Sequence, residues 1–334
     1  TVLLPILCVL HVGQKTRNHD NYISLLDIVC RHCETHQMTG NYMWDEVSNK
    51  EFLIGTNPDS RLSLWWNGSE PLWVTLQNVG KNVFMYFWPG DKQTKWPENL
   101  SGQADMAAVY YEKIDVEGHH FGNDGMIVFI NATYFYMEMY LIFIYFHLNV
   151  LLFSDHGMAK IQWMEKVIEL DKFIDMSDVL KIMDRGPVLI TIFSYKDLSI
   201  LQVHNMRVYA RQEIPERFHY RKGNFNKKTL PYWKNDSREP SAWQNGWHGY
   251  DNEFVDMRGF FLAVGPDFKQ NVRGGSIRAV DVYNVMCWIL GVDPLPNNGS
   301  WSRVEKSCSS LNRFLGLVNT SAARSDKNLK IVFG

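Results

Sequence analysis

Three short clusters of acidic and histidine side chains in this sequence have the composition of a metal site. Two of them are pairs, Asp115 with His119 and Asp155 with His156. The third contributes one histidine, His248. Zinc prefers imidazole nitrogen and carboxylate oxygen as ligands, and enzymes that act on phosphate esters often hold two metal ions close together. A lone Asp–His pair is more often a surface pair or a helix cap, so the prediction of a metal centre depends on the three clusters meeting in space.

Two glycines favour such a meeting. Gly118 lies just before His119, where it would let the backbone bend beyond the end of a strand, and Gly157 directly follows the second cluster. Adjacent residues of an extended chain point to opposite sides. Only a turn at Gly157 would therefore direct both Asp155 and His156 to one centre.

Apolar runs precede the first two clusters and predict the strands that position them. Residues 104–114 and 149–153 stop at clusters of acidic and histidine residues, and residues 81–88 form a third run that ends in a Pro-Gly turn. In open α/β sheets, functional residues gather where parallel strands end. The clusters are therefore expected along one edge of a sheet.

Strands that alternate with helices predict an α/β fold with a mostly parallel central sheet and helices on both faces. We expect a single domain over residues 1–334, incomplete at its N-terminus, with an irregular insertion at residues 205–250. The remaining predicted elements are strands at 187–193 and 259–264 and helices at 160–170, 176–183 and 276–290.

The composition is that of a folded globule, with 46% hydrophobic and 21% charged residues among 334. The net charge of −2 provides no basic field for a polyanion, which argues against nucleic acid as a partner. Five cysteines at irregular spacing do not make a disulfide scaffold, and the lone Cys-x-x-Cys pair has no second pair with which to bind zinc.

Two long apolar stretches need an interpretation. Residues 2–12 have the length of a signal-peptide apolar region, but no basic segment precedes them, and a buried strand is the alternative. Residues 126–146 are long enough to span a bilayer. A single crossing would place the clusters before and after this stretch on opposite sides of the membrane, so a packed helix or an insert is favoured.

The density of glycosylation sequons leans towards the secretory route and an extracellular location or the outer face of the plasma membrane. Residues 319–334 are polar, with no lipid-anchor signal visible. The six Asn-x-Ser/Thr sequons begin at Asn67, Asn99, Asn131, Asn235, Asn298 and Asn319.

Aromatic residues are concentrated in residues 42–111. Core packing is the ordinary role of each ring, and an aromatic box for a quaternary ammonium group is the alternative, because ring faces attract a cation that cannot donate a hydrogen bond. The residues concerned are Tyr42, Trp44, Trp65, Trp66, Trp73, Phe87, Trp88, Tyr110 and Tyr111.

Several long segments make the chain similar to a known family. They cover residues 114–122, 153–158, 246–259, 264–269, 280–292 and 294–304. These segments resemble the ectonucleotide pyrophosphatase/phosphodiesterases of the alkaline phosphatase superfamily, and residues 31–45 and 64–76 resemble the choline-specific glycerophosphodiesterase branch, member six. The resemblance implies an alkaline phosphatase-like fold and an extracellular hydrolase of phosphoric diesters.

The same resemblance implies two zinc ions. Asp115, His119 and His248 would hold one ion, and Asp155 and His156 would hold the other. Two metals side by side suit in-line displacement at phosphorus, because both can bind the phosphoryl oxygens.

Two further residues receive roles from the resemblance. Asn41 would donate to the phosphate oxygen and stabilise its developing charge, and Tyr110 would contribute to a choline pocket. The implied substrates are glycerophosphocholine and lysophosphatidylcholine, from which phosphocholine is released. The sequence leaves open whether the protein forms a homodimer.

Residues 1–30 depart from the family pattern, which has an additional metal-binding Asp in an early strand and a Ser or Thr nucleophile before the segment at 31–45. An ungapped count back from Asn41 puts Asp20 in the nucleophile position, and a second alignment puts Asn18 there. Neither residue supplies a hydroxyl, and a metal ligand is the alternative role of Asp20. Thr16 and Ser24 would require shifts of the alignment. A second zinc with only two ligands would bind more weakly.

Three functions follow from these observations. The first is a zinc-dependent phosphodiesterase of choline esters. A nucleotide pyrophosphatase/phosphodiesterase of the same family is the second, and the scarcity of basic residues near the motifs argues mildly against it. A catalytically impaired homologue that binds zinc and choline esters is the third, because neither the nucleophile nor the additional Asp is found.

Overall fold

The fold is seen in a computed structural model. It describes residues 5–10, 31–38, 42–45, 47–53, 57–86, 104–110, 113–122, 148–161, 168, 170–183, 191–194, 202–204, 206–219 and 245–308. The strands in these residues are β1 (Pro5–Leu10), β2 (Tyr42–Asp45), β3 (Lys50–Leu53), β4 (Val83–Tyr86), β5 (Met106–Tyr110), β6 (Asn149–Ser154), β7 (Ala159–Lys160), β8 (Val179–Met183), β9 (Thr191–Ser194), β10 (Gly246–Trp247) and β11 (Phe261–Val264).

The α-helices are mostly short, and several single turns of 3₁₀ helix accompany them. The α-helices of the described residues are α1 (Cys33–His36), α2 (Ser63–Trp66), α3 (Leu72–Asn78), α4 (Lys113–Phe121), α5 (Ala279–Leu290) and α6 (Trp301–Val304).

The main sheet is mostly parallel, as predicted. Its five strands lie in the order β11-β6-β1-β5-β4. Strand β1 pairs in parallel with both β5 and β6, and β4 pairs in parallel with β5, whereas β11 is antiparallel to β6. The apolar run at residues 2–12 therefore contains the central strand of the sheet, in agreement with the strand alternative.

Both faces of the sheet are covered. On one face, alternate residues such as Met106, Ala108, Leu151 and Phe153 form the main hydrophobic core with helices α3 and α5. The period of two along each strand explains why these residues share a face. The intervening residues Ala107, Val150 and Leu152 are also buried, so the opposite face is packed as well.

Helix α5 is the central helix of this core. Residues 280–290 are all buried, because the helix is packed on every side. It ends at Gly291, whose φ of 66° is the left-handed conformation that glycine adopts at helix C-termini.

Two predicted elements differ from the structure. Residues 176–183 were expected to be helical, but a 3₁₀ turn at Met176–Asp178 is followed by β8, which forms an antiparallel pair with β9. Strand pairing has here overridden a local helical period. The expected strand at 104–114 ends at Tyr110, and helix α4 begins at Lys113.

Within the described residues, the helices are all too short or too polar to cross a membrane. Residues 126–146 and most of the predicted helix at 160–170 lie outside those residues. The single-domain boundary and the insertion at 205–250 stay predictions.

Candidate metal centre

Helix α4 carries the first cluster. The helix spans Lys113–Phe121, so Asp115 and His119 lie four residues apart on one face. Their side chains meet, with His119 Nε2 3.2 Å from Asp115 Oδ1. The expectation that Gly118 bends the backbone is wrong, because this glycine lies within the helix. Its role is close packing, since a Cβ atom there would lie 3.1 Å from the Met158 side chain.

The second cluster lies in the turn that follows strand β6. Gly157 donates its backbone N–H to Met257 O at 3.1 Å. A Cβ atom on Gly157 would fall 2.1 Å from Asp256 O. The turn was predicted, but the physical need for glycine is the close approach of a second backbone segment.

A short antiparallel ladder brings His248 to this turn. Strand β10 pairs with β7, in the register Gly246↔Lys160 and Trp247↔Ala159. The ladder sets the residue after Trp247 beside the turn that precedes Ala159. The rings of His156 and His248 are consequently stacked, with centroids 3.5 Å apart and planes at 14°.

Asn245 ties the end of helix α4 to the same ladder. Its backbone N–H donates to His119 O at 2.7 Å, and its side-chain Nδ2 donates to His120 O at 2.7 Å. These bonds satisfy carbonyl groups that a helix C-terminus would otherwise leave without partners. All three clusters are thereby fixed to one another by backbone contacts.

The geometry brings the predicted ligands into one site. His248 Nε2 lies 3.6 Å from Asp115 Oδ1, and His156 Nε2 lies 3.6 Å from Asp155 Oδ1. One ligand atom from each of Asp115, His156 and His248 falls within 4.8 Å of the others. This trio takes members from both predicted zinc sets, so the division of the five side chains between two ions stays a prediction.

The hydrogen bonds of two imidazoles set their tautomers. His119 Nδ1 lies 2.8 Å from Gly246 O, and His156 Nδ1 lies 2.8 Å from Gly157 O. A carbonyl oxygen only accepts, so each Nδ1 carries the proton and each neutral ring keeps its Nε2 lone pair. Outer hydrogen bonds of this kind orient metal-ligating histidines.

The residues present fit a divalent cation. Asp115 is completely buried, and within the described part of the chain neither of its carboxylate oxygens has a hydrogen-bond donor. His119 Nε2 is likewise buried without a hydrogen-bond partner in that part of the chain. A buried carboxylate of this kind is costly unless a cation compensates it. Oxygen and imidazole donors together are the ligands of zinc.

The cluster is sealed on one side and accessible on the other. The side chains of Asp115 and His119 are 0% and 3% exposed, whereas those of His156 and His248 are 18% and 20% exposed. Trp247 closes the sealed side, with its ring 4.7 Å from that of His119. A ligand therefore reaches the centre from the side of His156 and His248.

Comparison with known proteins identifies the family. Residues 30–100 and 91–251 match the family described as type I phosphodiesterase/nucleotide pyrophosphatase, which is more than half of the chain. The chain belongs to this family. Its homologues are hydrolases that act on phosphodiester bonds.

Relatives of the type I phosphodiesterase family align over most of the chain. The mouse bis(5'-adenosyl)-triphosphatase enpp4 is 28% identical over 85% of this chain and 72% of its own length. Human ectonucleotide pyrophosphatase/phosphodiesterase family member 5 is 27% identical over 87% of this chain and 69% of its own, and mouse family member 7 is 26% identical over 80% and 75%.

Solved structures support the alkaline phosphatase-like fold. Human ectonucleotide pyrophosphatase/phosphodiesterase 5 superposes with a TM-score of 0.69 at 25% identity, and 88% of each chain is covered. An inactive variant of the murine protein, in complex with AMP, has a TM-score of 0.70 at 23% identity and covers 92% of this chain. Assignment to the choline-specific member six goes beyond what these relatives show.

The structure does not describe the side chains of the other residues assigned by resemblance. Asn41, Asn18, Asp20, Thr16 and Ser24 lie outside the described residues. Tyr110 ends strand β5, but its side chain also lies outside them. The roles of Asn41 and Tyr110 therefore stay predictions.

Three tryptophans of the proposed aromatic box are occupied by packing within the fold. Phe52 packs edge-on against Trp65 and Trp66, with ring centroids 5.8 Å away in both cases. The indole N–H groups of Trp65 and Trp66 donate to Asp59 O and Ser60 O. That of Trp44 donates to Asn49. The ordinary role, packing, is confirmed for these rings.

The sequence interpretation missed the backbone that supports the ligands. The carbonyl of Gly246 orients His119, and the residues around Met257 form the wall against which Gly157 packs. The sequence does contain a signal for this supporting backbone. Glycines stand immediately before Trp247 and immediately after His156, which indicates close backbone approach on both sides of the site.

Proposed function

We propose that this chain is a metal-dependent phosphodiesterase that acts on nucleotide-type phosphoesters or phosphoanhydrides. The observation that carries the proposal is the meeting of ligand atoms from Asp115, His156 and His248 within 4.8 Å of one another, with His119 beside Asp115 and Asp155 beside His156. The buried Asp115 carboxylate lacks a hydrogen-bond donor among the described residues. Divalent cations, when bound there, supply Lewis-acid stabilisation of the charge that develops on the phosphoryl oxygens.

The charge of the side chains supports an anionic substrate. The five side chains contain two carboxylates and three imidazoles, so with neutral imidazoles their charge is −2. Two divalent cations would change this to about +2, which suits a phosphodiester monoanion. One divalent cation would leave a net charge of about zero. The two-zinc centre is therefore the form that favours substrate binding.

The protein residues pre-organise the centre. The carbonyl groups of Gly246 and Gly157 hold the rings of His119 and His156, so these ligands need no reorientation during the reaction. Water is excluded from one side of the centre, because Asp115 is buried there and the ring of Trp247 covers His119. The exposed edge at His156 and His248 leaves room for the phosphoryl group and its leaving group.

Similarity to the mouse bis(5'-adenosyl)-triphosphatase supports a nucleotide-type substrate. A choline phosphoester is the second candidate, favoured by the resemblance of residues 31–45 and 64–76 to the choline-specific member. Packing of Trp44, Trp65 and Trp66 within the fold weakens that candidate, because these rings do not form an open box. Tyr110 remains its proposed contact. A homodimer and an extracellular location stay part of the proposal.

A pair of chromogenic substrates tests the proposal. The p-nitrophenyl esters of thymidine 5'-monophosphate and of phosphocholine share a leaving group, so the ratio of their kcat/KM values reports the retained substituent. We expect chelator-sensitive hydrolysis with a preference of at least about tenfold for the nucleotide ester, which corresponds to a difference of about 1.4 kcal/mol between the two substrates. Asp115→Asn is the inactive control.

Each other result has a definite meaning. A preference for the phosphocholine ester would transfer the assignment to the choline branch. Binding of either ester by folded, zinc-loaded protein without turnover would replace the enzyme with the catalytically impaired homologue. Turnover that survives complete metal removal would reject the metal-dependent mechanism.

A further inference from the structure

The 3₁₀ turn Glu216–Phe218 contacts the loop that follows His248. Arg217 makes two parallel bonds to one carboxylate, with Nη1 2.7 Å from Asp251 Oδ1 and Nη2 2.5 Å from Asp251 Oδ2. Its Nη1 also donates to Asn252 Oδ1 at 3.0 Å. Bidentate guanidinium–carboxylate pairs fix orientation as well as distance.

The carboxylate that Arg217 grips is close to a metal ligand in the chain. Only Gly249 and Tyr250 separate Asp251 from His248, and Gly249 has a φ of 94°, which a side chain would strain. Beyond Asp251, the same loop reaches Met257, which accepts the N–H of Gly157. Arg217 thus holds the middle of a loop whose two ends meet the metal cluster.

The turn that presents Arg217 is itself anchored. The next residue, Phe218, lies under the guanidinium, with its ring centroid 4.0 Å from the Arg217 Cζ. His219 then stacks on His32 beside helix α1, with ring centroids 3.5 Å apart and planes at 9°. These ring contacts therefore fix the turn that carries Arg217.

The ion pair between Arg217 and Asp251 persists well below neutral pH. Hydrogen bonding to Arg217 lowers the pKa of Asp251 to about 2, so the carboxylate stays charged well below neutral pH. The two side chains are about one-third exposed, at 35% and 30%. Pairs this exposed contribute little to global stability, so the effect of the pair is expected on the loop it holds.

We propose that Arg217 is a positioning residue for the metal centre, which acts through Asp251 to hold the loop that carries His248. The inference rests on the proposed function in that it assumes a divalent cation among Asp115, His156 and His248. Loss of the pair would leave every ligand side chain present but release the loop that carries His248, so metal affinity falls while the fold survives.

Cobalt binding tests this inference without relying on turnover. The metal-free protein is titrated with Co²⁺, and the visible absorption band of the bound ion gives the affinity. The variants are Arg217→Met, Arg217→Lys, Asp251→Asn and the double variant Arg217→Met/Asp251→Asn. Asparagine keeps an oxygen for the Glu253 N–H that Asp251 Oδ1 accepts at 3.0 Å. Lys50→Met is the matched control, because it removes the comparably exposed Lys50–Asp59 pair.

We expect Arg217→Met and Asp251→Asn each to weaken Co²⁺ binding by about 5- to 10-fold. Loss of a residue that hydrogen-bonds a metal ligand directly typically costs about 10- to 100-fold in affinity, and Arg217 acts one step further away. The double variant should bind Co²⁺ no more weakly than Arg217→Met, because loss of the arginine already breaks its pair with Asp251. Arg217→Lys should be intermediate, since lysine cannot form the fork. Activity should return at saturating zinc, and the metal-free Tm should stay unchanged.

Contrary results separate the two proposals. A wild-type protein that binds no Co²⁺ would overturn the metal centre and the inference with it. Wild-type binding combined with an unchanged affinity in Arg217→Met would overturn the inference alone. Additive losses in the double variant, or a metal-free Tm that falls in Arg217→Met but not in Lys50→Met, would show that the arginine does not act through Asp251 on the loop.

Discussion

Burial determines how individual titratable groups of this chain behave. Asp115 and His119 are buried side by side, and the most economical way to satisfy their inward-facing atoms is a shared cation. His36 is buried as well, but its surroundings are different. Its Nδ1 accepts the Met38 backbone N–H at 3.0 Å, which a neutral ring can do and a doubly protonated ring cannot.

Acid should destabilise the fold through His36. Burial lowers its pKa from 6.5 to about 4, so the folded state binds this proton more weakly than the unfolded chain. The stabilisation is complete above pH 6.5 and is lost as the pH falls from 6.5 towards 4. Between pH 7 and pH 5 the loss from this residue should be about 2 kcal/mol.

Urea unfolding at pH 7 and pH 5 measures this loss. His36→Asn removes the titration while keeping an acceptor oxygen for the Met38 N–H, so its unfolding free energy should fall by about 2 kcal/mol less than that of the wild type. An equal fall in both proteins would show that His36 does not titrate in this way. The histidines of the metal centre contribute to both proteins and cancel in the comparison.

At the scale of elements, close backbone contacts determine how the ligand-bearing segments fit together. Gly157 packs against the loop at Asp256, and Asn245 joins helix α4 to strand β10. These contacts involve main-chain atoms that cannot move independently. A methyl group added at one of these contacts should therefore displace the whole backbone segment on the other side of the contact.

Gly157→Ala should disrupt the centre. Its Cβ atom would fall 2.1 Å from Asp256 O, so the loop must move and His248 with it. We expect a loss of at least about 1–3 kcal/mol of stability, as for other overpacked sites, together with weaker metal binding. Gly275→Ala is the control, since nothing lies within 4 Å of its Cβ position. Thermal unfolding and metal titration of both variants check this, and equal behaviour of the two would contradict it.

The N-terminus of helix α5 should be the most sensitive ionic site of the core. Asp281 is fully buried and accepts two 2.6 Å bonds from Arg303, as well as the N–H groups of Arg278 and Ser300. Burial alone raises the pKa of Asp281, but these hydrogen bonds outweigh it and the pKa lies below its ordinary value. The stabilisation is therefore present above the ordinary pKa and lost as the pH falls through the folded value.

Asp281→Asn should cost about 2–4 kcal/mol, because it leaves the Arg303 guanidinium without its carboxylate. Denaturant unfolding measures the cost, and Asp171→Asn at an exposed position is the control. Metal affinity should be unaffected, since the network contains no residue of the metal cluster. A change in Co²⁺ affinity as large as that of Arg217→Met would contradict this separation.

For the whole molecule, folding and metal binding should be coupled. The site draws on helix α4, the turn after strand β6 and strand β10, which are separate in the unfolded chain. A ligand that binds only the folded state stabilises it in proportion to its occupancy, by about 2.7 kcal/mol at a free concentration of 100 times Kd. Removal of zinc by a chelator should therefore lower Tm.

Differential scanning calorimetry with and without zinc tests this coupling. The wild type should gain about 2.7 kcal/mol at 100 times Kd, and Asp115→Asn should gain much less at the same zinc concentration. Zinc stabilisation that persists unchanged in Asp115→Asn would place the ion elsewhere in the chain. Magnesium serves as a control, because it binds imidazole ligands poorly.

The sequence by itself determined the features that are encoded locally. The strands at 81–88 and 149–153 and the helix at 276–290 follow from their apolar periods, and the long motif segments indicated the family. The ligand types likewise pointed to phosphoryl chemistry. Local periodicity could not establish that residues 179–183 form a strand, because that depends on pairing with β9.

Only the tertiary structure decided how the ligands meet. The bond between His119 Nδ1 and Gly246 O joins residues 127 positions apart, and the stacking of His156 on His248 follows from the pairing of β7 with β10. Such contacts leave no period in the sequence, because each is made by one residue with a distant partner. Residue types therefore predicted the chemistry, and long-range backbone pairing determined which atoms face one another.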